Sequence, residues 1–330
     1  MTGPLITSAE LDPAQVAAIL ALAEACRDVD GVAPLSEHGL LHVRFEADGP
    51  PGRDLVLTVD GEIAGYAYLD PPADSPHSGA TEVSGELMIS PDRRRRGLGR
   101  ALAAEAVAAA GGHALRLWAH GDLPAAAALA AAAGFERFRA LWQMRRPLGP
   151  DASQAPAPPL AEPVLPAGRT LRAFVPGRDE DDWLALNARA FAKHPEQGGW
   201  TRHDLEVRER EPWFDPAGFF IAEKDGVMTG FHWTKVHPPE PGTAGPGVGE
   251  VYVVGVDPVE QGSGLGRALT LAGLRYLRDR GTDGVMLYVD EDNVPAIRMY
   301  EALGFTRATV DAMYRRPVRQ AAAAPPLVTE

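Results

Sequence analysis

The chain has 330 residues, with 45 acidic against 32 basic side chains, a net charge of −13, 45% hydrophobic residues and one cysteine. That balance describes a soluble globular protein long enough for about two domains, and it rules out an internal disulfide. It also argues against nonspecific nucleic-acid binding, which needs a basic surface, and no apolar run approaches the roughly 18 residues of a bilayer span.

The amino terminus lacks a basic stretch ahead of an apolar core, so a cytoplasmic location without a membrane partner is expected. Residues 13–27 form an alanine-rich helical pattern holding Cys26, which reads as a small buried hydrophobe because no histidine or lysine adjoins it. Residues 55–68 read as a hairpin turning at Asp60 and Gly61. After Ser84-Gly-Glu-Leu-Met-Ile89 comes a run of four arginines, Arg93 to Arg96, then Gly97-Leu98-Gly99 and a helix.

Residues 149–168 are rich in proline and alanine, cannot hold a helix and have little to bury. They divide the chain into a first domain at 1–148, a linker at 149–168, a second domain at 169–318 and a flexible tail at 319–330.

The second half opens with a strand near residues 171–174 and a helix over 181–191 whose acidic start suits the helix dipole. Thr201 reads as the cap of a short charged helix reaching 211. Two strands, 218–226 and 227–237, turn at Asp225 and Gly226. There follow a strand at 250–256, a helix at 264–280, a strand at 285–289, a helix at 295–303 and a final strand pair.

The two halves repeat. Arg94 aligns with Gln261 and Gly134 with Gly304 at nearly the same offset, and Gln143-Met-Arg-Arg-Pro147 echoes Met313-Tyr-Arg-Arg-Pro317, which points to duplication. In the second copy, Gln261-Gly262-Ser263-Gly264-Leu265-Gly266-Arg267 follows a strand and opens a helix. Small residues there let backbone N–H groups close around a diphosphate at a helix amino terminus. The spacing differs from the dinucleotide Gly-x-Gly-x-x-Gly pattern, and five residues separate the loop from the strand, so coenzyme A fits better than NAD.

On these motifs both halves resemble the GNAT acetyltransferase family. With His194-Pro-Glu-Gln-Gly198, Phe231-His-Trp-Thr-Lys-Val-His237, the 249–258 strand and Leu287-Tyr-Val-Asp290, nearly the whole chain resembles the mycothiol synthase family, tandem acetyltransferases of actinobacteria. The resemblance implies an α/β fold of two tandem three-layer α/β sandwich domains, the first without catalytic activity. It implies acetyl-CoA as cosubstrate and no metal. The acceptor is a small-molecule amine, the cysteinyl amine of cysteinyl-glucosaminyl-inositol, and the protein works as a monomer. A peptide amino terminus or another small amine remains open as acceptor, as does a non-catalytic acetyl-CoA sensor.

Residue by residue, the resemblance seats the pantetheine arm on Val254, Gly255 and Val256, with the loop 261–267 on the pyrophosphate. Asn293, Val294, Pro295, Ala296, Ile297 and Arg298 carry further acetyl-CoA contacts, and Asn293 can also cap its helix. The first half offers Leu87, Met88 and Ile89, then Arg95, Arg96, Gly97, Leu98, Gly99 and Arg100, while Arg93 reads as a solvated basic residue. Glu250 is the general base, acting through a water, and Tyr300 the general acid for the departing thiolate. Glu37, Glu196, Lys235, Glu250 and Tyr288 contact the acceptor. The first half has Leu123 and Ala130 where the repeat puts Asn293 and Tyr300, so it lacks the acid. His232 and His237 lie five apart on a strand and face opposite sides, which removes a metal reading; His194 reads as structural.

Overall fold

The computed structural model describes residues 4–8, 10–44, 52–74, 80–149, 157–192, 194–239 and 247–318, without the side chains at 195 and 196. The expected tail at 319–330 lies outside the described residues. In the first half run β1 (Leu5–Thr7), α1 (Pro13–Asp30), α2 (Glu37–Arg44), β2 (Arg53–Val59), β3 (Glu62–Leu69), β4 (Ala73–Asp74), β5 (Thr81–Ile89), α3 (Leu98–Ala109), β6 (Ala114–Ala119), α4 (Pro124–Ala132) and β7 (Glu136–Pro147). The second half holds β8 (Arg169–Ala173), α5 (Glu180–Ala190), α6 (Pro195–Gly198), α7 (Arg202–Glu209), β9 (Phe219–Lys224), β10 (Val227–His237), β11 (Val248–Val256), α8 (Leu265–Asp279), β12 (Gly284–Asp290), α9 (Val294–Ala302) and β13 (Thr306–Arg316).

Local chemistry sets several boundaries. The Asp12 carboxylate accepts from the N–H groups of Ala14 and Gln15, and the Gln15 side chain returns a bond to the Asp12 N–H. This reciprocal cap starts α1, with Pro13 in the first turn where its missing N–H costs nothing. The helix runs past the expected Arg27 to Gly31, the left-handed residue that ends it. Thr201 and Asp204 make the same reciprocal cap on α7, which stops at Glu209 rather than 211. Both hairpins turn where Asp60 and Gly61, and Asp225 and Gly226, take positive φ.

The chain packs as two compact units, Met1–Ala140 with Val310–Glu330, and Leu141–Thr309. In the first, the sheet runs β1-β2-β3-β5-β6-β13, with β4 beside β5. Its faces are covered by α1 and α2 around Ile19, Cys26, Tyr66 and Met88, and by α3 and α4 around Leu57, Leu102 and Leu115. The second runs β8-β9-β10-β11-β12-β7. On one face Trp183 of α5 and Leu205 of α7 pack on Phe219, Phe231 and Trp233, and on the other Leu271 and Leu274 of α8 and Tyr300 of α9 pack on Leu287. Each unit is a three-layer α/β sandwich.

The closing strand of each sheet comes from the end of the other half. Residues 312–316 of β13 pair with β6, and 141–147 of β7 pair with β12. The division therefore falls inside β7 and β13, whereas the sequence places it at the proline-rich stretch. Burial accounts for the difference: Met144 enters the core of the second unit, and Ala312 and Tyr314 enter that of the first. The expected final strand pair is one strand of 11 residues. Nor is the linker bare throughout, for Leu160 and Leu165 pack on the second unit and the Pro158 carbonyl accepts from Arg146 Nη2 at 2.5 Å. Among the described residues, no helix is long and apolar enough to cross a membrane.

Candidate active site

The site of the second unit begins where two parallel strands part. β11 pairs with β12 from Val248 to Val251, opposite Gly284 to Leu287, and the pairing stops there although both strands continue. Beyond it, Val254, Gly255 and Val256 keep their partners on β10 but none on β12. Backbone polar groups facing that gap have no strand partner there, the arrangement to which an extended chain could hydrogen-bond. A bulge lies just before: Trp233 pairs with Val253 and Thr234 with Val251, so Tyr252 is an extra residue on β11.

The glycine loop follows at the same end of β11. Gly262 and Gly264 have φ of 77° and 90°, and a Cβ at either would meet nothing within 4 Å. Gly264 precedes α8 and provides no side-chain cap for its first turn. Ser263 Oγ accepts from Leu265 N at 3.3 Å, and Arg267 is exposed beside them. Uncapped donors, a helix dipole and one arginine suit a diphosphate. Leu265 itself is fully buried, so its contribution is backbone only. At the start of α9 the side-chain Oδ1 of Asn293 accepts from Ala296 N at 3.3 Å; the capping role is met, and Val294 to Arg298 form the first helical residues, with Ile297 packed in the core.

Glu250 and Tyr300 flank the gap from opposite faces. Glu250 is 7% exposed and stands opposite Lys235 in the β10–β11 register. Its Oε2 lies 2.6 Å from His237 Nε2. Lys235 is buried with its Nζ 4.4 Å from the ring centre of Trp213. Glu250 pairs with Met286, so Tyr288, two residues on, shares that face; its hydroxyl accepts from Gln143 Nε2 at 2.8 Å. Lys235, Glu250 and Tyr288 thus share a face. Tyr300 projects from α9 into the cluster of Leu287 and Val251 on the other side, in edge contact with Phe305. Burial raises its pKa, so the phenol stays protonated at neutral pH.

Other predicted residues fall elsewhere. The Glu196 side chain lies outside the described residues, and Glu37 opens α2 of the first unit. His194 Nδ1 is 3.4 Å from an Asp290 carboxylate oxygen. His232 and His237 do face opposite sides: His232 Nδ1 donates to the Leu269 carbonyl at 2.8 Å in the core, whereas His237 meets Glu250. The partnership of His237 with Glu250 has no signal in the sequence, since it depends on the strand pairing that sets them diagonally. Tyr252 has none either, because a bulge leaves no mark on residue alternation until the partner strand is known.

In the first unit, Gly97 (φ 84°) precedes an uncapped α3 in the same way, with Arg95, Arg96 and Arg100 exposed and Leu98 buried. Arg94 is occupied by a two-pronged bond to Asp30 at 2.7 Å, and Arg93 by Glu62 at 3.0 Å. Leu87 to Ile89 run beyond the β5–β6 pairing, which ends at Glu86.

The acetyltransferase (GNAT) family model matches residues 19–135 and 183–305. A protein of Thermobispora bispora named mycothiol acetyltransferase is 60% identical over 305 residues, covering 92% of this chain and 97% of its own. One of Thermomonospora curvata with the same name is 57% identical over 95% of this chain and 97% of its own. Among solved structures, a tandem GNAT protein from the clavulanic acid biosynthesis pathway superposes with a TM-score of 0.69 at 23% identity, covering 97% of this chain and all of that one. A GCN5-related N-acetyltransferase from Sphaerobacter thermophilus gives 0.66 at 24%, covering 96% of each chain. These two likenesses carry the fold.

Proposed function

The chain belongs to the acetyltransferase (GNAT) family, and from that premise we propose that its second unit carries out the reaction of a mycothiol acetyltransferase. Acetyl passes from acetyl-CoA to the cysteinyl amine of cysteinyl-glucosaminyl-inositol. The observation that carries the reading is a carboxylate and a protonated phenol on opposite sides of one strand gap, beside an uncapped glycine loop.

Acetyl-CoA enters as a substrate, its pyrophosphate on the N–H groups of residues 262–267 and its pantetheine arm along 254–256. The acceptor lies on the face of Lys235, Glu250 and Tyr288. An α-amine has a reference pKa of about 7.7 to 8.0, so a fraction is already neutral and the base has modest work. As the amine attacks the thioester carbonyl, Glu250 accepts its proton through a water, and His237 Nε2, 2.6 Å away, offers the next station toward solvent. Unpaired N–H groups of β11 beyond Val251 face the developing oxyanion. Tyr300 hands its proton to the departing sulfur. No acyl-enzyme is needed, and Cys26, fully buried in the first unit with its pKa raised by burial, is unsuited to form one.

The first unit, without the base or the acid, serves as a non-catalytic partner, and the protein works as a cytoplasmic monomer. Incubation with acetyl-CoA and a panel of amines, following free thiol, tests the reading. Thiol release with the cysteinyl-glucosaminyl-inositol acceptor is expected. Transfer to peptide amino termini alone would remove the acceptor assignment, and no release with any amine would leave a sensor.

A further inference from the structure

An ammonium group taken from water needs compensation, and Lys235 is 7% exposed. It is also unusual in this chain: only three of the 32 basic residues are lysines, at 193, 224 and 235. Two aromatic faces meet it, with Nζ 4.4 Å from the ring centre of Trp213 and 5.1 Å from that of Tyr252. Both distances lie within the range where a ring's negative face attracts a cation.

Tyr252 reaches that position through the bulge. As the inserted residue of β11, it joins Val253 in the aromatic cluster under α5 and α7, where strict alternation would send one of the two to the other face. Its other end is fixed as well. The hydroxyl accepts from Arg208 Nε at 2.8 Å, and the Arg208 guanidinium lies 4.0 Å over Trp200 while Nη1 donates to the Asp204 carbonyl at 2.8 Å. Trp200, Arg208, Tyr252 and Lys235 thus form a row of ring, cation, ring and cation, ending at the lysine that stands opposite Glu250.

We propose that Tyr252 is a positioning residue: with Trp213 it forms an aromatic half-cage that holds the Lys235 ammonium on the acceptor face, and Arg208 fixes the angle of its ring. The part played by Lys235 in acceptor binding rests on the function proposed above; the cage itself does not. A lysine suits the cage because its compact charge can lie against two rings and still aim a donor at a ligand hydroxyl, whereas a planar guanidinium would stack flat. The first unit supplies a contrast. Its β3–β5 register is unbroken, and Asp70 and Ser84 hold the places of Lys235 and Glu250.

The cage is tested first by carbon-13 NMR of protein labelled at lysine Cε, where three lysines give three signals and Lys235→Arg assigns one. A signal displaced by ring currents in the wild type, and moving toward the free-lysine position in Tyr252→Leu, is the expected result. Tyr252→Phe, which keeps the ring and loses the Arg208 bond, should move it less. Kinetics test the consequence. Tyr252→Leu should raise the acceptor KM about three- to thirtyfold, the factor corresponding to one cation–π contact, with a smaller change in kcat and unchanged acetyl-CoA affinity. In a Lys235→Ala background the same change should add little.

An undisplaced Lys235 signal in the wild type would overturn the cage. An equal loss from Tyr252→Leu with and without Lys235 would overturn its link to the acceptor. If Tyr252→Leu does not fold, Tyr252→Phe and Arg208→Gln carry both measurements. Failure of the wild type to acetylate the acceptor would count against the proposed function and leave the NMR result to decide the cage.

Discussion

The two units put the same strands in the same order and differ where chemistry is done. In the second, β11 carries the bulge at Tyr252, parts from β12 after Val251 and sets Glu250 opposite Lys235. In the first, β5 has no bulge against β3 and pairs with β6 as far as Glu86. Ser84 and Asp70 occupy the equivalent places and bond each other at 2.8 Å, Ser84 Oγ donating to the carboxylate. The neighbouring Glu86 accepts from Ser36 N and meets His120, both at 3.0 Å, so a carboxylate there is committed to structure. One helix carries Tyr300, and its counterpart α4 is built largely of alanine. The first unit thus keeps the sandwich and the loop geometry without a base or an acid, because neither the strand order nor the glycine loop depends on those side chains.

The largest test of that contrast is at the base. Glu250→Gln removes the proton acceptor and keeps the shape, and kcat should fall by about 10²- to 10⁴-fold, the usual weight of general base catalysis. Acetyl-CoA affinity, read by calorimetry, should stay within about twofold. Ser84→Ala at the equivalent place should leave turnover as it is; a matching loss there would mean that the first unit takes part in the chemistry.

Smaller losses are expected from the loops. Asp in place of Gly264 brings a negative charge to a site built for diphosphate, and the acetyl-CoA KM should rise about tenfold or more. The corresponding Gly97→Asp should show its effect mainly in how much acetyl-CoA the protein binds at equilibrium. Its cost in kcat/KM should be at least about tenfold below that of Gly264→Asp. Equal costs in kcat/KM would break the division of labour.

Two histidines, His120 partly buried and His232 fully buried, give the units opposite pH responses. Burial works to lower the His120 pKa, but hydrogen bonds with Asp311 and Glu86 overcome it and push it up to about 10. Its folded value lies above the unfolded one, so its stabilisation is complete below pH 6.5 and is lost as pH rises through about 10. His232 is the reverse. Burial lowers its pKa to about 4, against a weaker opposing effect of its bond to the Leu269 carbonyl. Its stabilisation holds above pH 6.5 and is lost as pH falls toward about 4. Melting temperatures across this range should fall at both ends, with His120→Gln flattening the alkaline limb and His232→Leu the acid one. An acid limb unchanged in His232→Leu would refute its share.

Much of this contrast is legible in the amino-acid sequence alone. Hydrophobic alternation, Asp-Gly turns and the glycine loops mark β2, β3, β9, β10, α3 and α8, since each signal is local. The absence of an acid in the first half is legible from the repeat, through Leu123 and Ala130. The crossing of β7 and β13 between units is not, because a strand's own residues do not name its partner. The same limit hides the Tyr252 bulge and the pairing of His237 with Glu250.

The helix starts give the smallest effect and the cleanest comparison. Asn293 caps α9 through its side chain, and Leu123 at the start of α4 offers no such bond. Losing an asparagine cap costs about 0.5–2 kcal/mol, so Asn293→Ala should lower the unfolding free energy by that much, read as a lower urea midpoint. Leu123→Asn should raise the stability of the first unit by a similar or smaller amount, since its φ of −65° and ψ of 135° already suit a cap. If Asn293→Ala also lowered kcat/KM well beyond its effect on stability, the side chain would be doing more than capping, and the contact with the acetyl-CoA arm would be the added role. A stability loss alone would leave the cap as its full account and place the cosubstrate's hold on this helix in its backbone.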